Sequence, residues 1–118
     1  MGKHWTVLFQ RDFDTEFEAL APVVQDEMLA YASLLAKFGP QLGRPFVDTL
    51  KGSRHGNMKE LRLRVRGQVW RVAFAFDPRR RAVLLVAGDK AGTGQRRFYE
   101  RLIRQADDRL SQWLTEEV

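Results

Sequence analysis

A segment in which polar and apolar residues alternate constrains the fold of this chain more than any other feature. Residues 58–76 read MKELRLRVRGQVWRVAFAF. Leucine and valine alternate with Arg62, Arg64 and Arg66 before a glycine-containing turn, and a second alternating run follows over 69–76. Because successive side chains of a β-strand point to opposite faces, this segment predicts two antiparallel strands joined by a hairpin.

The two faces of this hairpin differ in chemistry. The core face of its second strand is predicted to carry Trp70, Val72, Phe74 and Phe76. The other face then carries Arg71 with two small neighbours, Ala73 and Ala75, beside the row of arginines on the first strand. We expect this second face to be exposed, with the alanines leaving a groove next to Arg71.

A short strand and two helices are predicted before the hairpin. Residues 4–9, HWTVLF, are β-branched and aromatic and predict a strand at the edge of the sheet. Apolar residues then recur at helical spacing as far as Phe38, with Asp14 as the predicted N-cap. Pro22 is expected to divide this run into two helices, and Gly39 to end the second one.

The rest of the chain predicts a loop, a buried strand and a last helix. Residues 39–57 are rich in Gly and Pro and predict a long connection with room for one helical turn around 46–50. The apolar run 82–88, AVLLVAG, predicts a strand covered on both faces, followed by a glycine-rich stretch. A helix is predicted from Gln95, with the inward positions Phe98, Leu102, Ala106 and Leu110. The order β-α-α-β-β-β-α predicts an α+β fold, a small sandwich of an antiparallel sheet and helices forming one domain over residues 1–118.

Composition narrows the possible functions. The sequence contains no cysteine, which excludes disulfides, thiol nucleophiles and cysteine zinc sites, and only two histidines, His4 and His55. We therefore expect no metal and no cofactor. Since no apolar run approaches the roughly 18 residues of a membrane span and the N-terminus lacks the apolar core of a secretory signal, we expect a cytoplasmic protein.

Positive charge is concentrated in the middle of the chain. Residues 44–104 contain sixteen Lys and Arg against five Asp and Glu, whereas residues 1–43 contain three against six and residues 105–118 one against four. The middle segment thus has a net charge of +11 (16 − 5) within a total of +5. Clustered cations repel one another unless an anionic partner binds them, which favours a polyanion-binding protein over a basic surface that is merely solvated.

The sequence also resembles a known family. MKELRLRVRGQVWRVAFAFDPRRRAVLLVAGDKAG, followed by FYERLIRQADDRL, is similar to the HigB-like, phage-derived branch of the RelE/ParE toxin superfamily. The similarity spans residues 23–114, and its most specific parts are KELR, RVAF, LLVAGDK and the FY-x-x-LI-x-x-AD helix. The resemblance implies a RelE-like fold and a toxin of a type II toxin–antitoxin system. Such a toxin is a metal-independent mRNA interferase that helps the RNA 2′-OH attack the adjacent phosphate in the ribosomal A site.

Site residues follow from the resemblance. Arg71 matches the strand arginine of the family and is expected to hold the scissile phosphate. Lys90 is expected to act as a second cation that could protonate the leaving oxygen. Lys59 and Arg62 match the basic opening of the preceding strand. Phosphoryl transfer needs a positive clamp on the transition state, and this set of residues could supply it.

The identity of the general base stays open at this point. The candidates are Lys59, Asp89, Tyr99 and His55, and Tyr99 could instead stack on an RNA base. The residues expected to contact RNA or the ribosome are Arg64, Arg66, Arg54 and His55. The chain ends LSQWLTEEV and lacks the C-terminal histidine on which some of these toxins rely.

Two other functions compete with RNA cleavage. ParE-type relatives inhibit DNA gyrase without cleaving RNA. The row of arginines on the predicted strand, however, favours a protein that acts on RNA. A plain nucleic-acid-binding module is disfavoured because no helix is predicted to carry the basic face expected of a major-groove reader and no aromatic row marks a single-strand platform. The expected partners are a HigA-like helix-turn-helix antitoxin, in a hetero-oligomer, and the ribosome with its mRNA.

Overall fold

Two helical layers enclose a five-stranded sheet with the strand order β1-β5-β4-β3-β2. The computed structural model describes residues 4–92 and 94–117. Its elements are β1 Thr6–Phe9, α1 Arg11–Glu18, α2 Pro22–Phe38, β2 Val47–Thr49, β3 Lys59–Val65, β4 Gln68–Phe76, β5 Arg81–Asp89 and α3 Gln95–Glu117. β1 runs parallel to β5, and the other neighbouring strands are antiparallel. The predicted α+β fold is confirmed, with β1 at the sheet edge as expected, but the sheet is mixed and not wholly antiparallel because β1 joins it parallel to β5.

The first helices begin and end close to the predicted residues. α1 starts at Arg11 and not after Asp14, because the Gln10 side chain accepts two N–H groups of the first helical turn, at 2.9 and 3.0 Å, and so caps the helix. Pro22 begins α2 as predicted. Gly39 ends it with a positive φ of 56°, a conformation that glycine adopts without strain.

A short edge strand lies within the predicted loop. The helical turn expected around 46–50 is wrong, since residues 47–49 form β2 and pair antiparallel with β3. Val47 lies opposite Leu61, and the Arg62 N–H donates to the Phe46 carbonyl at 2.9 Å. The strand forms because it completes the edge of the sheet, and three residues are too few for a periodic signal.

The two faces of the sheet are covered by separate apolar clusters. On one face α1 and α2 pack against the sheet with Phe13, Met28 and Leu35 among the buried residues. On the other face α3 packs through Phe98, Leu102, Ala106 and Leu110, which confirms its predicted inward side. β5 lies between β1 and β4, and its residues 82–86 are buried, as expected of a strand covered on both sides. No helix within the described residues is both long and apolar enough to cross a bilayer.

The face of β4 predicted to be exposed is covered by α3. Ala73 and Ala75 are fully buried in the α3 cluster, so they do not leave a groove, and Arg71 is only 6% exposed. Gly88 serves the same packing, because a Cβ there would lie 2.8 Å from the Phe98 ring. These small residues let the helix approach the sheet. Strand alternation identifies which residues share a face, but it does not reveal whether a later helix covers that face.

Candidate active site

The register of the β3–β4 hairpin sets two arginines opposite each other. Arg62 of β3 lies directly across from Arg71 of β4. Glu60, two residues before Arg62, faces the same side because strand side chains alternate. Like charges opposite each other on adjacent strands destabilise a sheet, so this pair requires neighbouring carboxylates or an anionic partner.

A buried carboxylate, phenol and guanidinium form the floor of the site. The Tyr99 hydroxyl, presented by α3, donates a 2.8 Å hydrogen bond to Glu60 Oε1. Arg71 Nε donates to the Tyr99 hydroxyl at 3.3 Å and lies 3.6 Å from the same Glu60 oxygen. Glu60 is only 5% exposed. Within the described part of the chain no hydrogen bond engages Glu60 Oε2, which leaves that oxygen available to a further group.

Tyr99 is held as a neutral hydrogen-bond donor. Burial raises the pKa of its phenol above the ordinary 10.0, and the hydrogen bond to Glu60 raises it further, although Arg71 opposes this shift. The phenol therefore keeps its proton at neutral pH. Its hydroxyl links the carboxylate to the guanidinium and fixes their relative positions.

Lys90 approaches this floor from the end of β5. Its N–H donates to the Val69 carbonyl at 2.8 Å, and its Nζ lies 5.4 Å from the centre of the Tyr99 ring. Burial lowers the pKa of Lys90 below the ordinary 10.5, the charge of Arg71 lowers it further, and Glu60 partly opposes the shift. Lys90 therefore gives up a proton more readily than a lysine without these neighbours.

Arg62 and Arg44 share one carboxylate at the rim of the site. Arg62 NH1 lies 3.4 Å from Asp48 Oδ2, and Arg44 NH2 lies 2.9 Å from the same oxygen. The Thr49 N–H, followed by the hydrogen bond from Arg44, lowers the pKa of Asp48 below the ordinary 3.8. Asp48 stays ionised and keeps the two guanidinium groups together.

Apart from Arg71, these side chains line a hollow of about 460 Å³, which we call the central hollow. Its lining includes the cations Arg44, Lys51, Arg62 and Lys90 together with Glu60 and Tyr99. A second hollow of about 540 Å³, the hairpin hollow, lies beside it. Its lining includes Arg44, Arg62, Arg64 and Arg71. Since Arg44 and Arg62 line both hollows, the two adjoin and form one basic depression.

Four of the predicted catalytic residues meet in this depression: Arg62, Arg71, Lys90 and Tyr99. Lys59 lies on β3 next to Glu60, so strand alternation turns its side chain to the opposite face of the sheet. Asp89 lines a different hollow, with Phe98 and Leu102, and its carboxylate accepts the Ala91 N–H at 2.9 Å. Its observed contact holds the turn that carries Lys90.

The residues predicted to bind RNA occupy several places. Arg64 lines the hairpin hollow, and Arg66 is exposed in the hairpin turn with a φ of 47°. Arg54 pairs with Asp108 of α3 at 3.1 Å. His55 Nε2 lies 2.9 Å from Ser111 Oγ, on the second half of α3. His55 is not part of the lining of the central or the hairpin hollow.

Three arginines share one exposed side of α3, which we call its basic face. Arg97, Arg101 and Arg104 are spaced four and three residues apart, as neighbours on one side of a helix are, and all three are exposed. The same helix also carries Glu100, Asp107 and Asp108, so its net charge conceals the basic face. The basic surface extends from the hairpin onto this helix.

Glu60 is the site residue that the sequence analysis does not identify. It stands among basic residues in KELR. Its spacing of two from Arg62 places both on one face of the strand, and this is the signal that points to the site. Its burial against Tyr99 depends on the packing of α3, about forty positions further along the chain, which local periodicity does not describe.

Several known proteins are similar to this chain. Residues 15–111 match the family model described as phage derived protein Gp49-like. A Mycobacterium tuberculosis H37Rv protein named as toxin HigB2 is 44% identical over 90 residues, covering 75% of this chain and 44% of that protein. A second protein of the same organism, named as toxin HigB3, is 50% identical over 84 residues, covering 71% of each. The chain therefore spans less than half the length of the first relative.

A solved structure confirms the fold. The free form of an arginine-to-alanine double mutant of the Escherichia coli toxin RelE aligns with a TM-score of 0.65 and 12% sequence identity, over 91% of this chain and 98% of that one. The fold is therefore RelE-like. Together with the family match and the two relatives, this confirms the resemblance to HigB-like members of the RelE/ParE superfamily.

Proposed function

The chain belongs to the phage-derived Gp49-like family, and from this premise we propose that it is the toxin of a type II toxin–antitoxin pair and cleaves messenger RNA on the ribosome. Two relatives at 44% and 50% identity carry toxin names, which supports the toxin part of the proposal. The RNA-cleaving part rests on the site itself. Both parts of the proposal concern the protein as it occurs in the cell.

One observation carries the proposal: a buried carboxylate lies within a ring of cations at the floor of an open hollow. Glu60 is held by Tyr99 and Arg71, while Lys90 and Arg62 stand around it. A carboxylate can accept a proton, and arginine donates paired hydrogen bonds to phosphate oxygens without losing its charge. This combination fits a reaction in which a hydroxyl attacks a phosphate.

The proposed reaction is an internal displacement at one phosphate of the RNA. Glu60 accepts the proton of the 2′-OH, whose oxygen forms a bond to the adjacent phosphorus. The bond from phosphorus to the 5′-oxygen of the next nucleotide breaks, and Lys90 protonates that oxygen. The products are a 2′,3′-cyclic phosphate and a 5′-OH. Arg71 and Arg62 stabilise the charge on the non-bridging oxygens, the role in which fixed cations contribute most to catalysis.

The proposal assigns the neighbouring cations to binding. Arg64 lines the hollow that continues from the site toward the hairpin turn, and Arg66 lies in that turn. These arginines hold the RNA backbone or ribosomal RNA on either side of the scissile phosphate. Contacts of this kind contribute to affinity and weaken as salt rises.

An antitoxin is the other partner in the proposal. A protein that neutralises this toxin must cover or distort a depression lined by arginines. We expect an acidic segment, joined to a helix-turn-helix domain, to lie over the hairpin hollow or along α2, with binding that weakens as salt rises.

Brief induction in cells tests the proposed function. Primer extension after induction is expected to show new ends within the codons of translated messages, while untranslated RNA stays intact. Arg71→Ala and Arg62→Ala each remove a cation from the site and are expected to lower cleavage by roughly two to three decades. Arg66→Ala is expected to reduce potency only modestly.

The matched control is Lys37→Ala, which removes one exposed cation from α2 and should leave cleavage unchanged. Soluble expression and thermal unfolding followed by circular dichroism report whether each variant folds. Intact messages together with relaxed or broken plasmid DNA after induction of the parent chain would overturn the proposal and favour a gyrase inhibitor.

A further inference from the structure

The basic depression contains a second carboxylate that the proposed reaction does not use. Asp48 of β2 lies directly opposite Glu60 of β3, and both side chains line the central hollow. Carboxylates on opposed residues of neighbouring strands repel each other, and both repel an RNA phosphate. A site that only had to bind phosphate would gain affinity by losing Asp48, which raises the question of its function.

The contacts of Asp48 fix its carboxylate in the charged form. Its Oδ1 accepts the Thr49 N–H at 2.8 Å, and its Oδ2 lies 2.9 Å from Arg44 NH2 and 3.4 Å from Arg62 NH1. The side chain is 25% exposed, so the carboxylate lies at the rim of the depression, beside the path of a ligand. Asp48 therefore places a permanent negative charge next to the bound phosphate.

Asp48 reduces the positive charge of the central hollow. The charged residues that line the hollow are four cations and two anions: Arg44, Lys51, Arg62 and Lys90, with Asp48 and Glu60. Their net charge is +2 (4 − 2), and without the charge of Asp48 it would be +3 (4 − 1). The attraction that the hollow exerts on an anion is weaker by the contribution of this one carboxylate.

The effect of this charge depends on the kind of phosphate that enters the hollow. A phosphodiester inside an RNA chain carries one negative charge. A phosphate monoester or free phosphate carries about −1.5 to −2 at neutral pH, because its second pKa is about 6. Coulomb energy is proportional to the product of the charges, so a fixed carboxylate repels the dianion about twice as strongly as the diester at the same distance.

We propose that Asp48 is a specificity-determining residue that shifts the preference of the site toward phosphodiesters inside an RNA chain, and away from free phosphate and from monoesters at chain ends. The inference rests on the proposed function, because it concerns which phosphate the same site accepts. Arg62 and Arg71 hold the phosphate, and Asp48 limits how strongly the depression holds a dianion. The hollow thereby stays open to RNA in the presence of small phosphate dianions.

Two probes with one phosphorus atom each separate the two charges. The first is a 2′-O-methyl dinucleotide, whose single internal diester carries one negative charge and has no free 2′-OH with which to be cleaved. The second is the corresponding 2′-O-methyl nucleoside 3′-monophosphate, whose monoester is close to a dianion at neutral pH. NMR titration of the full chain at about 0.05 M salt, where charges are only weakly screened, gives the dissociation constant of each probe.

Asp48→Asn removes the charge but keeps an oxygen that can accept the Thr49 N–H. For a phosphate about 6–8 Å from the carboxylate in a water-like dielectric, we expect about two- to threefold tighter binding of the diester and about five- to tenfold tighter binding of the monoester. Asp48→Ser, a second neutral variant, should show the same unequal gains. Asp48→Glu keeps the charge and should keep the preference of the parent chain.

The matched control is Asp26→Asn, which removes an exposed carboxylate of α2 that lines neither the central nor the hairpin hollow. It changes the net charge of the protein by the same amount and should bind both probes like the parent chain. Thermal unfolding followed by circular dichroism reports whether each variant folds.

Weaker binding of both probes to the neutral variants would show that Asp48 only positions the arginines, and it would overturn the inference. Equal gains for the two probes, the same gains in Asp26→Asn, or no binding of the probes would also overturn it. Neither probe is cleaved, so the test is separate from that of the proposed function. Intact messages in cells together with the expected binding changes would contradict the proposed function alone, whereas mRNA cleavage without those changes would contradict the role of Asp48 alone.

Discussion

At the scale of single residues, the pair of Glu60 and Arg71 determines both the stability and the chemistry of the site. Both side chains are buried and lie 3.6 Å apart, with Tyr99 bridging them. Removing one partner of such a pair leaves an uncompensated buried charge, which costs about 3–5 kcal/mol, whereas replacing both partners is often nearly neutral. The residues needed for catalysis therefore also constrain how the site can be mutated.

This asymmetry predicts a specific pattern of stability. Arg71→Met should lower the free energy of unfolding by about 3–5 kcal/mol, because it strands the Glu60 carboxylate. The double change of Arg71→Met with Glu60→Gln should recover most of that loss. Urea denaturation of the three proteins measures both effects. A single variant as stable as the parent chain would contradict the buried pair.

The environment of Lys90 predicts how its amine titrates. Burial, followed by the charges of Arg71 and Arg62, lowers its pKa below 10.5, and Glu60 opposes the shift. Arg62→Gln should therefore raise the Lys90 pKa, and Glu60→Gln should lower it. Between the lowered pKa and 10.5 the unfolded chain binds more protons at this group, so its contribution to stability increases with pH there.

Competitive amine labelling at increasing pH, read out by mass spectrometry, measures this titration for each lysine separately. Lys90 is expected to become reactive at a lower pH than an ordinary lysine with a pKa of 10.5. A Lys90 that titrates at or above that value, or that responds to Arg62→Gln in the opposite direction, would contradict the arrangement of charges described here.

At the scale of elements, α3 organises the site by holding the loop between β2 and β3. Asp107 is buried and accepts hydrogen bonds from the Ser53 hydroxyl and the Arg54 N–H. Its neighbour Asp108 makes an exposed ion pair with the Arg54 side chain at 3.1 Å. The two carboxylates are adjacent in sequence and differ in burial, so they form a matched pair for mutation.

Asp107→Asn should lower the free energy of unfolding by about 1–3 kcal/mol, because at least one buried hydrogen bond loses its acceptor. Asp108→Asn should cost about 0–1 kcal/mol. Hydrogen exchange of the amides in residues 51–57 should accelerate in the first variant and stay unchanged in the second. Equal exchange rates in both variants would show that Asp107 does not anchor the loop.

The elements themselves were predictable where a period repeats often enough. Alternation over residues 58–76 predicts the hairpin, and the four-residue spacing from Phe98 to Leu110 predicts α3 and its buried side. β2 was not predictable because three residues in a Gly- and Pro-rich stretch give no period. α3 covers Arg71 through tertiary packing, which local periodicity does not describe. The prediction that this face of β4 is exposed is therefore wrong.

At the scale of the whole molecule, the positive charge that is concentrated in the middle of the sequence is also concentrated in space, around the site. Cations from the loop after β2, from β3 and from the end of β5 converge on the central hollow. The sequence predicts that these cations need an anion, and the resemblance predicts RNA. Glu60 is one of five carboxylates among sixteen basic residues in that segment, and although its spacing from Arg62 indicates its face, its burial against Tyr99 follows only from the fold.

The central claim is that Glu60 takes the proton of an RNA 2′-OH while the surrounding cations stabilise the phosphate. Single-turnover cleavage of a ribosome-bound message by the purified protein tests it most directly. The account predicts 2′,3′-cyclic phosphate and 5′-OH ends, no cleavage when the 2′-OH at the cut is replaced by hydrogen, and a rate roughly 10²–10⁴-fold lower for Glu60→Gln. Cleavage of the deoxy-substituted message, 5′-phosphate ends, or an undiminished rate for a folded Glu60→Gln protein would contradict it.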